Sequence, residues 1–255
     1  MEPAVALRAL LWDVDGTLAE TEFQGHRQAY NAAFRSAGLP WRWDVSTYRE
    51  LLAVSGGRER LRHFFGQVGQ APVGDGQVES LMAAKQRAYA DLARGGALPL
   101  RPGVQRLVVA AAARGWSQAL VTTSSRSAVA ALLASQGAAL TSAFAFWVCG
   151  EDVEAKKPNP EGYQQALDRL NLSPSKVLAL EDSPQGLEAA MAAGLPCLLT
   201  LGASPAPVEG AWWRRAIAAV DHLGETDQPS RILQGPPCQS AMVTLPWLER
   251  LLEAG

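Results

Sequence analysis

The stretch ALRALLWDVDGTLAETE, residues 6–22, decides how the rest of the chain is read. Its apolar run over residues 6–12 has the length and composition of a buried strand, yet it ends in two aspartates, Asp13 and Asp15, one residue apart. Residues i and i+2 of a strand point to the same side, so both carboxyl groups project from the strand's carboxyl end, where open α/β sheets hold their ligands. Buried charge is costly unless it is paired, protonated or bound to a cation, and neighbouring carboxylates repel. A hairpin at Asp15-Gly16 would require a second strand immediately afterwards, whereas residues at helical spacing follow instead.

Further apolar runs lie at residues 118–122, 144–149, 176–180, 196–201 and 216–220, with helix-like segments such as 102–114 and 160–170 between them. This alternation predicts βαβ units around a parallel sheet, an α/β, Rossmann-like core. The gap between the first two runs, about a hundred residues, is far longer than one crossover helix needs. Within it Phe23, Arg27, Tyr30, Phe34 and Ala37 recur at spacings of four and three until Gly38 and Pro40, and helical stretches follow at 48–53, 58–65 and 78–94. The expected organisation is a core over 1–21 and 98–224, a helical insertion over 22–97, and a tail over 225–255. In that tail a short amphipathic helix starts at Thr244, with Pro246 in its first turn.

Composition narrows the chemistry. The 255 residues are 48% hydrophobic with a net charge of −2, which offers no pull toward nucleic acid or an anionic membrane. Residues 22–97 carry +3 and the remainder −5, a division that suits an anionic substrate and a cation held between the two parts. Cys149, Cys197 and Cys238 form no CxxC, and His26, His63 and His222 form no HExxH, so a metal here is held by carboxylates. No apolar stretch approaches the roughly 20 residues of a membrane span, and no signal-peptide pattern opens the chain. A cytoplasmic monomer is expected.

Other chemistry-bearing residues stand at the ends of the later runs. KVLALEDSPQG, residues 176–186, closes one run with Glu181 and Asp182, and either Asp182 or Ser183 can cap the helix that Pro184 opens. EAKKPNPEGY, residues 154–163, places Lys156 and Lys157 before a turn and a helix. ALVTTSSR, residues 119–126, ends its run in four hydroxyl side chains, Thr122 to Ser125, suited to bonding phosphoryl oxygens. Paired carboxylates call for a hard divalent cation, and an ammonium beside them would neutralise both a nucleophile and a phosphoryl group.

These elements in this order resemble the haloacid dehalogenase superfamily, and the insertion resembles its helical cap. DVDGTLAETE, GHRQAYNAAF, YRELLAVSGGRERL, LPLRPGV and EAKKPNPEGY are similar to the CbbY group. That resemblance implies a sugar-bisphosphate phosphatase whose preferred substrate is xylulose 1,5-bisphosphate, removed to protect rubisco. It implies Asp13 as nucleophile, Asp15 as acid and base, and Thr122, Thr123 and Lys157 on the phosphoryl oxygens. Mg²⁺ would be held by Asp13, the backbone carbonyl of Asp15 and Asp182, with Glu181 close by. Donors to the distal phosphate would come from Gly57, Arg58, Arg60 and Lys85, while Glu22 and His26 at the hinge would meet sugar hydroxyls or gate solvent. Trp12 replaces the usual phenylalanine, and the hinge stretch EFQGHR is one residue longer than in some relatives. Competing outcomes are a β-phosphoglucomutase-like transfer, a phosphoglycolate-type phosphatase, and an inactive binding module acting through the C-terminal helix.

Overall fold

The computed structural model describes residues 7–69, 74–201, 210–238 and 241–253. Its centre is a seven-stranded sheet in the order β3-β2-β1-β4-β5-β6-β7. The strands are β1 (Ala9–Trp12), β2 (Ser117–Val121), β3 (Phe146–Val148), β4 (Val177–Glu181), β5 (Cys197–Thr200), β6 (Ala218–Val220) and β7 (Ile232–Gln234). Strands β1 to β6 are parallel, with β1 between β2 and β4 in direct register: Trp12 is opposite Leu120 on one side and Leu180 on the other. The sheet therefore brings the carboxyl ends of β1, β2 and β4 side by side.

All of β1 is buried, and its side chains alternate between two apolar layers. Leu10 and Trp12 enter the layer that includes α5 (Val104–Ala113) and α6 (Arg126–Gln136), while Ala9 and Leu11 enter the one with α8 (Glu161–Leu170) and α9 (Pro184–Ala192). Trp12 brings an indole N–H into the core, and buried Gln118 accepts it at 3.1 Å while donating its own amide to the Val108 carbonyl.

Between β1 and α5 the chain forms α1 (Arg27–Ser36), α2 (Val45–Leu51), α3 (Gly57–Gln67) and α4 (Asp75–Arg94). These helices enclose a separate aromatic cluster of Tyr30, Phe34, Trp43, Tyr48, Phe64 and Phe65. Helix α4 packs along α1 and also reaches α6, tying the insertion to the core. Before α1, residues Glu22–His26 form a single π-helical turn, which winds the hinge stretch into the helix itself.

The sheet departs from the sequence expectation at one edge. Strand β7 runs antiparallel to β6 in a segment rich in Pro, Gln and Ser, so the expected parallel sheet carries one antiparallel edge strand. Its three half-buried residues are too few to show a period of two. A short helix α7 (Ala138–Ser142) precedes β3, and α10 (Leu245–Glu253) buries Trp247, Leu248 and Leu251 in the layer containing α5. The expected run at 6–12 begins one residue outside the described residues, as do parts of the tail at 239–240 and 254–255. No helix among the described residues is long and apolar enough to cross a membrane.

Candidate active site

Asp13 follows directly on β1 and is buried. The loop then turns at Gly16, whose φ of +89° favours glycine and whose side a Cβ would drive into the Asp182 carboxylate. Arg101, buried beneath the loop, donates to the Gly16 carbonyl and, at 2.8 Å, to the Thr200 carbonyl. The loop is thus held against the end of β5.

Lys157 reaches Asp13 from the segment before α8. Its ammonium donates to Asp13 Oδ1 at 2.7 Å, Glu181 Oε1 at 2.6 Å and the Val121 carbonyl at 2.7 Å, which uses all three protons. Burial alone would lower its pKa, but Asp13 and Glu181 raise it above the ordinary lysine value. Glu181, fully buried at the end of β4, also accepts from the Tyr163 hydroxyl at 2.6 Å. Ser183 rather than Asp182 caps α9, accepting from the Gly186 N–H at 3.1 Å, which leaves the Asp182 carboxylate for the site.

Oxygens of Asp13, Glu181 and Asp182 lie within 4.8 Å of one another. Burial pushes the Asp13 carboxyl up to about 8 despite Lys157, with Glu181 and Asp15 adding to the rise. Burial, Asp13 and Glu181 likewise hold Asp182 well above the carboxylate range. Crowded, partly buried oxygens of this kind fit a hard divalent cation, which takes oxygen ligands and would relieve their repulsion.

Asp15 is held on the other side by the hinge. Its Oδ1 accepts from the Thr21 hydroxyl at 2.5 Å and His26 Nε2 at 2.8 Å, and its Oδ2 accepts from the Ser124 hydroxyl. Burial would raise this carboxyl, but His26, Ser124 and Thr21 hold it below the usual carboxylate range. Lys85 donates to His26 Nδ1 at 2.8 Å, so the imidazole proton on Nε2 faces Asp15. The ring stacks on Tyr89 at 4.5 Å. The π turn is what swings His26 inward while Glu22 accepts from the Tyr48 hydroxyl at 2.5 Å.

Above these groups lies a cavity of about 600 Å³, a usual size for a small-molecule site, with the insertion as its other wall. Asp13, Asp15, Glu22, His26, Gly57, Arg58, Arg60, Lys85, Thr123, Lys157 and Asp182 all line it. Thr122 sits behind them, buried, its hydroxyl accepting from the Ser124 N–H at 3.1 Å. Arg58 is clamped to Glu79 at 2.5 and 2.9 Å, and Arg60 is buried against the Leu51 carbonyl and the Tyr48 hydroxyl. Lys156 crosses from the core to Glu59 of α3 at 2.6 Å. Thr21, Tyr48 and Tyr163 bond carboxylates that line or border the cavity, and the sequence does not single them out because each reaches its partner only through the fold. Ser124 was visible as part of the hydroxyl run, with nothing to distinguish it from its neighbours.

A seven-stranded α/β core with carboxylates and a lysine gathered at its strand ends, under a helical insertion, defines a class of hydrolase. The model of the haloacid dehalogenase-like hydrolase family matches residues 7–194, and the chain belongs to that family. It is 41% identical over 229 residues to the protein CbbY of Cupriavidus necator, with 88% of each chain covered. Among solved structures it is similar to CbbY of Rhodobacter sphaeroides in complex with phosphate, at a TM-score of 0.71 and 39% identity, covering 76% of this chain and 86% of that one. An Asp-to-Asn variant of the same CbbY, in complex with xylulose-(1,5)bisphosphate, superposes at a TM-score of 0.76 with 35% identity, covering 86% of this chain and 96% of that one. The chain is accordingly a phosphatase of the CbbY type.

Proposed function

We propose that the chain is an Mg²⁺-dependent sugar-bisphosphate phosphatase that cleaves the 1-phosphate of xylulose 1,5-bisphosphate through a phosphorylated Asp13, thereby removing an inhibitor of rubisco. The observation that carries this reading is Asp13, bonded to Lys157 at 2.7 Å and grouped with Asp182, on the floor of a cavity roofed by the insertion. A CbbY with xylulose bisphosphate bound shares this architecture.

Asp13 attacks phosphorus while the bond from phosphorus to the sugar oxygen breaks, and the leaving alkoxide takes a proton from Asp15. Water then attacks the phosphorus of the acyl phosphate and gives its proton to Asp15. Inorganic phosphate leaves and Asp13 is restored. Asp15 must first give up Thr21, His26 and Ser124, the donors that keep it ionised; burial then favours its protonated form. Lys157 holds Asp13 and balances charge on the phosphoryl oxygens, with Thr122 and Thr123 beside it. Asp13, Asp182 and the Asp15 carbonyl, with Glu181 alongside, would hold Mg²⁺, which would supply positive charge to the transferring group. The insertion excludes water during the first step.

The test is phosphate release with Mg²⁺ from xylulose 1,5-bisphosphate, ribulose 1,5-bisphosphate, phosphoglycolate and glucose phosphates, with Asp13→Asn as control. Preference for the xylulose ester, lost in the variant, supports the reading. Equal rates across the panel would overturn the substrate assignment.

A further inference from the structure

The insertion joins the core through two linkers, residues 18–21 and 98–101, which run side by side. Ala19 bridges Leu100 in antiparallel fashion, and the Arg101 N–H donates to the Leu18 carbonyl at 2.8 Å. Arg101 ends the returning linker, and its side chain, only 3% exposed, is turned under the loop that follows β1. A guanidinium taken out of water is costly unless its donors are used, and here all three nitrogens are. Nη1 donates to the Gly16 carbonyl and, at 2.8 Å, to both the carbonyl and the hydroxyl of Thr200. Nη2 donates to the Asp221 carbonyl, and Nε faces Glu20 at 3.0 Å. One side chain thus spans the turn after β1, the end of β5 and the end of β6.

Two of these contacts act on the oxygens around the acidic cluster. At Gly16 the N–H donates to the Ala19 carbonyl at 2.9 Å while the carbonyl accepts from Arg101, so both peptide planes of the turn are fixed. In a trans peptide the C=O points opposite to the N–H, so the Asp15 carbonyl is turned away from Ala19. At Thr200 the hydroxyl that accepts from Arg101 donates to the carbonyl of Glu181, the residue before Asp182, at 3.4 Å. The turn and Asp182 are packed together, since a Cβ on Gly16 would run into Asp182 Oδ2. A single guanidinium therefore holds the Asp15-Gly16 turn directly and the Asp182 end of β4 through Thr200.

We propose that Arg101 is a positioning residue for the divalent cation, holding the Asp15 carbonyl and the Asp182 carboxylate so that the ion meets oxygens already in place. This rests on the Mg²⁺-dependent reading above. Groups that orient metal ligands govern affinity without touching the ion. The planar fork of Arg101 reaches three segment ends at once, which an ammonium on a flexible stem does not, so charge alone does not replace it.

The experiment measures the Kd of the full chain for Mg²⁺ alone by titration calorimetry, with Tm read on the same preparations. Arg101→Lys keeps the charge without the fork, and Thr200→Val removes the hydroxyl between Arg101 and Glu181 while keeping the side chain's shape. Arg106→Lys is the control for stability, because Arg106 likewise bonds three carbonyls, those of Leu223, Gly224 and Val243, outside the cavity. Kd for Mg²⁺ is expected to rise about ten- to a hundredfold in Arg101→Lys and by less in Thr200→Val, whereas Arg106→Lys lowers Tm with Kd unchanged. A parental Kd in Arg101→Lys, or an equal rise in Arg106→Lys, overturns the positioning role while leaving the cation reading intact. Should Arg101→Lys fail to fold, a parental Kd in Thr200→Val overturns it. A parent chain that binds no Mg²⁺ overturns both.

Discussion

Tyr163→Phe isolates one hydroxyl in the site. The phenol donates to Glu181 Oε1 at 2.6 Å where both residues are fully buried, and the ring lies 5.3 Å from the Lys157 ammonium within the α8–α9 apolar layer. Phenylalanine keeps the ring and its packing and removes only the O–H. A hydrogen bond to a buried charged group contributes about 1.5–3 kcal/mol, and Glu181 retains Lys157 as a donor, so a loss of about 2 kcal/mol is expected. For a chain of this size that lowers Tm by about 4–8 °C. Glu181 steers Lys157 toward Asp13, and if about half of the loss persists in the transition state, kcat falls roughly fivefold with KM little changed. Calorimetry and steady-state phosphate release on the same preparation read both numbers. A Tm within about 1 °C of the parent together with an unchanged kcat would refute the view that Tyr163 positions the carboxylate.

Removing the divalent cation should expose the repulsion among Asp13, Glu181 and Asp182: adding Mg²⁺ at about a hundred times its Kd is expected to raise stability by about 2.7 kcal/mol, seen as a higher Tm. Asp182→Asn should abolish most of that shift, and an equal rise in parent and variant would contradict the assignment. Gly16→Ala should cost both folding and metal response, because its φ of +89° disfavours a side chain and the new Cβ meets the Asp182 carboxylate. A variant with parental Tm and activity would show that the turn relaxes freely. Burial lowers Lys85 from 10.5 to about 8, so between those values the unfolded chain binds more protons than the folded one and stability rises with pH. The rise amounts to roughly 3 kcal/mol. Urea midpoints at several pH values should climb across this window in the parent and stay flatter in Lys85→Met, and parallel curves would refute the linkage.

The hinge shows how a π turn can be put to use. The stretch between Thr21 and Arg27 is wound into the helix at Glu22–His26 rather than looping outward. Gly25 makes this possible, since a Cβ there would stand 2.9 Å from the Tyr89 ring and 3.1 Å from Leu98. The register so produced directs His26 at Asp15, Glu22 at Tyr48 and Phe23 at Arg49.

What the sequence by itself determined is local in origin. The alternation of Ala9, Leu10, Leu11 and Trp12, the Asp13/Asp15 pair beyond it, the helical spacing of Tyr30 and Phe34, and the Pro184 helix start are all set by residues a few positions apart. Such spacing carries the period of a strand or a helix directly. The tertiary structure decided which groups face one another. Lys157 meets Asp13 across 144 positions, and Ser124 meets Asp15 across 109. Glu79 claims Arg58, while Arg49 lies over the Phe23 ring. Strand β7 exists because β6 offers it an edge. Charge and hydrogen-bond partners are assigned by packing, which alternation along a chain does not encode, so the residue types of the site were legible and their pairing was not.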